Sequence, residues 1–438
     1  GTISVIDLTR LRQDGFITSF DVTTLDFTAF DGQEDTLRSQ GVRIFPGRSA
    51  SRDLEPEYAS ISPDGTRAYV TLQEANSVAV VDLVQPEILE IQPLGVKDHS
   101  LPGNGIDPSD RDDSVAIAPH PVFGLYMPDA ITSFEVGGQT FYATANEGDS
   151  RDFDEDRIKD IVLDPTVFPN AADLQEDDVL GRLTISNIDG DTDGDGDYDQ
   201  LFTFGARSFT IFNASGDVVF DSGDQFEQLT AQLVPDLFNS SNDENEFDSR
   251  SDAKGPEPEA ITTGVIGDRM YAFIGLERTG GVFVYDITSP AEATFVQYIN
   301  NRDANAMNIE EAGDLGVEDL KFVSAADSPN GQPLLLASNE VSGSVTVFQL
   351  GQSVLDVELC AVATPSLAGS TELPSAITTS PIGGTYYVEA WVQDFDNQFN
   401  GLADKLTFAT TPMSSTRLGF PMMTTTCCHR ERSTIQPG

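Results

Sequence analysis

Four times along this chain an acidic residue stands just before a short apolar strand, and a second strand ending in Glu follows it. The pairs are Glu57 (EPEYASIS) with Glu74 (AYVTLQE), Asp129 (MPDAITSF) with Glu147 (FYATANE), Glu259 (EPEAITTG) with Glu277 (MYAFIGLE), and Glu318 (GVEDLKFV) with Glu340 (LLLASNE). Subtracting residue numbers gives separations of 17, 18, 18 and 22. In three units a closing strand follows after a short turn: SVAVVDL, GGVFVYDI and GSVTVFQL. Three or four short strands per unit, repeated at this spacing, predict an all-β chain of the β-propeller type. A solenoid would need a tighter period, and a sandwich would not return an acid to the same point of each unit.

The opening GTISVIDL matches the closing strands, so the chain is expected to start inside a blade, N-terminally truncated. A further unit without the acid pair is expected from LGRLTISNIDG through FGARSFTIFNASGDVVFDSG. Six or seven blades follow from that count. The propeller is expected over 1–350, with an acidic calcium-loop insertion at about 153–256. Residues 351–412 are Ser/Thr-rich, hold the only tryptophan, Trp391, and predict a partial β-sandwich-like domain. The basic stretch 413–438, with Cys427, Cys428 and His429, fits neither domain and reads as an out-of-frame or foreign tail to which no function is attached.

Composition narrows the chemistry. With 72 acids against 24 bases the formal charge is -48. Such a surface repels nucleic acid and anionic membranes. Scattered acids would serve solubility in salty surroundings; patterned acids serve cations. Three cysteines build no disulfide framework, so calcium, which takes oxygen ligands, is the expected cofactor of an extracellular or surface protein. No apolar run is long enough to span a membrane. With only three histidines and three cysteines, zinc is not expected, nor is a nucleophilic triad. The segment Lys97-Asp98-His99 between units is placed at a channel mouth, although a lone His99 or His120 is more often structural.

The densest motif is Asp191-Thr-Asp193-Gly-Asp195-Gly-Asp197-Tyr-Asp199. Its acids fall at positions 1, 3, 5, 7 and 9 of a calcium loop, and the glycine at position 6 supplies the sharp turn. Phe202 stands where an EF-hand carries its bidentate Glu, so a structural site is expected rather than a sensor. The plainer alternative is an acidic turn.

In a propeller the first strands of all blades line the central channel, so the eight repeated acids are expected to form a ring. Rings of carboxylates bind calcium or hold a water that calcium activates; the alternative is that they cap strand ends. Asp149 and Arg151 follow Glu147, and Lys254 and Arg278 flank Glu259 and Glu277. Bases beside such a cluster suit a phosphate or carboxylate ligand; a surface ion pair explains each one equally.

The segments DLEPEYASISPDGTRAYVTLQEANSVAVVDL, GVKDHSLPGNGIDPSDRD, FGLYMPDAITSF, TANEGDSRDFDED, KGPEPEAI, IGLERTGGVFVYDI and ASNEVSGSVTVFQL resemble the choice-of-anchor I domain. This is a bacterial secreted or surface domain carried with varied C-terminal anchoring modules. Relatives include alkaline-phosphatase-like and phytase-like esterases and an animal cell-surface glycoprotein. The resemblance implies a propeller. Extended to chemistry, it implies calcium-dependent phosphoester hydrolysis in the channel, with Glu57, Glu147, Glu259 and Glu277 on the metal side and Lys254, Arg151 and Arg278 on the phosphate. The fourth unit departs from the family pattern, reading Gly-Val-Glu318-Asp319 where relatives carry Pro-Glu-Gly. The competing expectation is a non-catalytic surface or adhesion module, stabilised by calcium and binding a partner through its loops.

Overall fold

The computed structural model describes residues 1–8, 21–151 and 153–351, and beyond these the backbone of strands within 356–409. The chain divides into two units, Gly1–Leu350 and Gly351–Gly438. The first opens with a hairpin, β1 (Thr2–Asp7) against β2 (Asp21–Asp26). Its Ile3, Val5 and Leu25 pack on a core that includes Phe27, Ile44, Leu54 and Val70.

Four antiparallel sheets follow. The first is β3 (Ala59–Ile61), β4 (Arg67–Leu72), β5 (Ser77–Asp82) and β6 (Glu87–Pro93), paired in chain order. Next come β7 (Val96–Asp98) and β8 (Phe123–Leu125), then β9 (Ile131–Val136) and β10 (Gln139–Ala145). Strands β11 (Glu155–Arg157), β12 (Thr184–Ser186) and β13 (Phe202–Phe204) precede β14 (Phe209–Asn213) and β15 (Val218–Asp221). The second sheet runs β9-β10-β14-β15. The third is β16 (Pro258–Ile266), β17 (Arg269–Leu276), β18 (Val282–Asp286) and β19 (Thr294–Ile299), and the fourth β20 (Val317–Val323), β21 (Leu334–Asn339) and β22 (Ser344–Gln349). In the second unit β23 (Asp356–Val362), β24 (Tyr387–Gln393) and β25 (Leu406–Ala409) form one antiparallel sheet. The tail with Cys427, Cys428 and His429 lies outside the described residues.

The first strands of successive sheets lie side by side: β3 contacts β9, β9 contacts β16, and β16 contacts β20. Ser60 Oγ meets Ser133 Oγ at 2.9 Å, and Thr132 Oγ1 meets Thr263 Oγ1 at 3.3 Å. This is how propeller blades stack. Where a blade is covered on both faces its middle strands are buried, as Val282–Asp286 in β18 and all but the first residue of β4, whereas β21 of the fourth sheet alternates buried with half-buried residues. The outermost strands, β6 and β19, are exposed along much of their length. Interblade cores are aromatic, with Phe209, Phe226, Phe283 and Tyr285 between the second and third sheets. Gly264 is required where β16 meets the fourth blade, because a Cβ there would lie 2.4 Å from the Phe322 ring.

One expected unit is absent as such. The segment FTIFNASGDVVFD does not start a fifth blade; as β14 and β15 it completes the second, with β14 paired to β10 from Phe141↔Asn213 to Ala145↔Phe209. The count of six or seven blades rested in part on reading that segment as a separate unit. The segment between β10 and β14 forms its own sheet, β11-β12-β13-β8-β7, with strands contributed from before β9. Such an insertion is tolerated because loop-closure entropy grows only logarithmically with length. It returns through a backbone-to-backbone contact that only glycine permits: a Cβ on Gly148 would lie 2.0 Å from Gly205 N, and one on Gly205 2.3 Å from Glu147 O.

A carboxylate cluster between the blades

The repeat extends to hydrogen bonding. In three blades the residue two before the first acid accepts an N–H at the end of the second strand: Glu277 N donates to Glu257 O (2.8 Å), Glu340 N to Gly316 O (2.7 Å), and Gly148 N to Met127 O (3.0 Å). The two acids of each unit are thereby brought to the same end of the blade, where the inner strands of neighbouring blades adjoin.

The first acids converge. Glu259, only 7% exposed, has Oε2 buried without a hydrogen-bond partner. Burial, and then Glu147, Glu277, Glu318 and Asp129, push its carboxyl up to about 12. Burial likewise raises Asp129 to about 7, with Glu147, Glu318, Glu57 and Asp319 adding. Glu318 is raised by burial and by Glu340, against a hydrogen bond from Glu259. Each carboxyl thus lies within electrostatic reach of acids on other blades.

Around this centre are two tighter groups. Glu147, Glu257 and Glu277 are all buried and offer one oxygen each within 4.8 Å of one another. Lys254 Nζ reaches Glu147 Oε1 (2.8 Å), Glu257 Oε1 (2.7 Å) and Asp149 Oδ1 (3.2 Å). Arg278 Nε lies 3.1 Å from Glu257 Oε2 and 3.2 Å from Glu277 Oε2. Arg250 makes a third contact to Glu257 at 3.2 Å. Burial opposes ionisation of Glu257, but Lys254, Arg250 and Arg278 outweigh it and hold its carboxyl low. Burial also opposes the Lys254 charge, and Glu257, Glu147 and Asp149 hold it above its ordinary value. Glu277 is raised to about 7 by burial and Glu257, against Arg278.

The second group is Glu55, Glu57 and Glu74, again with one oxygen each within 4.8 Å. Arg151 serves it, donating to Asp53 O at 2.9 Å and lying 3.7 Å from Glu55 and 4.0 Å from Glu74. Burial raises Glu57, with Glu74 and Glu55 adding. Arg43, buried beneath Glu74, donates to its carbonyl at 3.2 Å and pairs with Asp154 and Asp189 of the insertion.

All eight repeated acids therefore stand at adjoining positions, with Lys254 and Arg278 directly on them and Arg151 on the group at the first blade. Glu55 and Glu257 are additional. Both precede the repeated acid by two residues, and the signal for them was the shared Glu-Pro-Glu of EPEYAS and EPEAIT. Lys97 is not at a channel mouth: it is buried, donating to Gly223 O (2.6 Å) and Ala206 O (3.0 Å). Neighbouring His99 is buried against Asn104 O and pushed down to about 3 by burial and Lys97, a structural placement.

In the acidic loop Asp191 accepts from Gly194 N (2.7 Å) and Gly196 N (3.1 Å). The aspartates separate into two groups that share Asp199: Asp191 with Asp193, and Asp197 with Asp164, a residue upstream of the motif. Asp195 belongs to neither group and acts on Asp193, whose carboxyl its charge raises. Asp191, Asp193 and Asp195 are exposed and Asp197 and Asp199 half-buried, whereas the interblade cluster has a buried centre, Glu147, Glu257, Glu259 and Glu277, with Glu57, Glu318 and Glu340 exposed around it.

The family model described as the choice-of-anchor I domain matches residues 1–290. Gigasin-3a of Magallana gigas is 33% identical over 190 residues, 40% of this chain and 66% of that protein. The mesenchyme-specific cell surface glycoprotein of Strongylocentrotus purpuratus is 26% identical over 325 residues, 63% of this chain and 41% of its own length. The chain thus spans less than two thirds of either relative. Among solved structures, a periplasmic gluconolactonase of Pseudomonas aeruginosa is 13% identical with a TM-score of 0.26, covering 90% of this chain and 76% of that one.

Proposed function

The chain belongs to the choice-of-anchor I domain family, and from that premise we propose that it is a calcium-binding propeller domain of a secreted or cell-surface protein, with the cation held by the interblade carboxylates. One observation carries the reading: Glu259 Oε2 is buried without a partner among carboxyls that raise it to about 12. A proton or a hard cation relieves that arrangement, and at neutral pH, where calcium is abundant outside cells, the all-oxygen donor set favours calcium. Glu259, Asp129, Glu318 and Glu340 would hold it, with Glu147 and Glu277 completing the shell from the second strands. The surface location accords with the name of the sea-urchin relative. The acidic loop, through Asp191, Asp193, Asp197 and Asp199, would take further calcium in a structural role.

Calorimetric titration of the full chain with calcium tests this. Wild-type protein is expected to bind, and Glu259→Gln to lose the tightest sites. A Glu259→Gln variant binding calcium as wild type does would remove the cluster from the reading.

A second reading, phosphoester hydrolysis, is favoured by Lys254 and Arg278 lying among the acids. Calcium would supply charge neutralisation and an activated water. Lys254 and Arg278 would turn from Glu147 and Glu277 towards a phosphate while Glu257 keeps them in place. Turnover of a chromogenic phosphomonoester or phosphodiester that requires calcium and disappears in Glu259→Gln would establish it. Absence of turnover, with calcium still bound, would leave a binding or adhesion module.

A further inference from the structure

A different set of carboxylates lies away from the repeated acids. Asp107 and Asp112, on the loop between β7 and β8, meet Asp248, on the segment leading to β16. One oxygen from each lies within 4.8 Å of the others. Asp107 is fully buried and Asp248 is 3% exposed. Among the described residues no Lys, Arg or His forms an ion pair with any of the three; Arg207 nearby is taken up by Glu227 (2.6 Å) and by carbonyls including Asp107 O (2.7 Å).

Of the two buried acids, Asp107 has both oxygens hydrogen-bonded to backbone, Oδ1 from Ser109 N at 3.4 Å, and Asp248 does not. Asp107 Oδ2 accepts from Ala116 N (2.7 Å) and Asp112 Oδ1 from Ser114 N (3.0 Å). Asp248 receives the Ser251 hydroxyl on Oδ1, but its Oδ2 is buried with no partner. Asn239, fully buried, is joined to the same Ser251 hydroxyl through Nδ2 (2.8 Å), and its Oδ1 also has no partner. An unpaired buried carboxylate costs several kcal/mol, about as much as a buried ion pair loses when one partner is removed. Three carboxylates converging within 4.8 Å, one of them with a buried oxygen that has no partner, form the donor set of a hard divalent cation.

We propose that Asp107, Asp112 and Asp248 form a separate, structural calcium site that clamps the β7–β8 loop to the segment entering the third blade. Two residues after Asp248 that segment supplies Arg250, then Lys254 and Glu257, so the clamp fixes the bases of the interblade cluster from behind. The proposal does not depend on the cluster binding calcium.

Counting bound calcium by equilibrium dialysis of the full chain tests it. Asp248→Asn and Asp112→Asn are each expected to bind one ion fewer than wild type, while Glu259→Gln keeps that ion. Unchanged counts in both variants would overturn the proposal and leave the cluster reading untouched. Should Asp248→Asn not fold, anomalous diffraction from wild-type crystals grown with terbium decides. A peak bounded by Asp107, Asp112 and Asp248 is expected, and terbium elsewhere but not there would refute the site.

Discussion

Lys254 Nζ bridges Glu147 on the second blade and Glu257 at the head of the third, at 2.8 and 2.7 Å. The ammonium neutralises one edge of the cluster, while among the described residues Glu259 and Asp129 form no ion pair. Replacing Lys254 by Met would take the ammonium from Glu147 and from fully buried Glu257, leaving Glu257 only Arg250 and Arg278. A loss of about 3–5 kcal/mol in calcium-free protein is expected, measured by urea unfolding. A loss under 1 kcal/mol would mean Arg250 and Arg278 alone suffice.

Calcium should raise the melting temperature. At a free concentration one hundred times Kd, a single site adds about 2.7 kcal/mol, and several sites add more. Scanning calorimetry with calcium and with excess chelator is expected to differ by several degrees. Coincident scans would contradict the structural role given to the cation.

The calcium-free protein should lose stability as pH rises. Asp129 and Glu277 are raised to about 7, so the folded chain holds protons that the unfolded chain, with ordinary carboxyls, has already released. Where the native state binds more protons, stability falls with increasing pH. In chelator the melting temperature is expected to drop between about pH 4 and 7, the window set by these two groups. Saturating calcium keeps the carboxylates ionised and should flatten or reverse the slope. A rising trend in chelator would show that the cluster is already paired.

Tyr58 Oη donates to Asp319 Oδ1 at 2.9 Å, joining the start of the first blade to the fourth. Burial and Asp319 raise the phenol to about 12, so the bond persists through the neutral range. Tyr58→Phe should cost about 1.5–3 kcal/mol, the range for hydrogen bonds to charged groups, read from denaturant midpoints. No change would show that packing alone holds these blades together.

The repeated acids were legible because a blade imposes a fixed interval between its first strand and the end of its second, and Glu57/Glu74, Asp129/Glu147 and Glu259/Glu277 keep that interval. The basic partners Lys254 and Arg278 were legible because they neighbour the acids in sequence. Glu257 carries a signal, the Glu-Pro-Glu it shares with Glu55, but two of the four units lack it, and its place in the cluster rests on tertiary contacts with Lys254, Arg250 and Arg278. Arg43 was hidden because its partners Asp154 and Asp189 lie on the insertion, more than a hundred residues away. The second blade differs from the sequence expectation because strand alternation identifies β14 as a strand without naming its neighbour; pairing with β10 is a tertiary choice.

Splitting that blade has a consequence for the emerging chain. Between Ala145 and Phe209 a ribosome adds 64 residues by subtraction of their numbers, on the order of several seconds of synthesis. Through that interval β10 presents an unpaired strand edge carrying Phe141, Tyr142 and Ala143, the kind of edge that recruits foreign strands. Whatever delivers this protein to its destination therefore has to keep that edge from other chains until Phe209–Asn213 arrives to cover it.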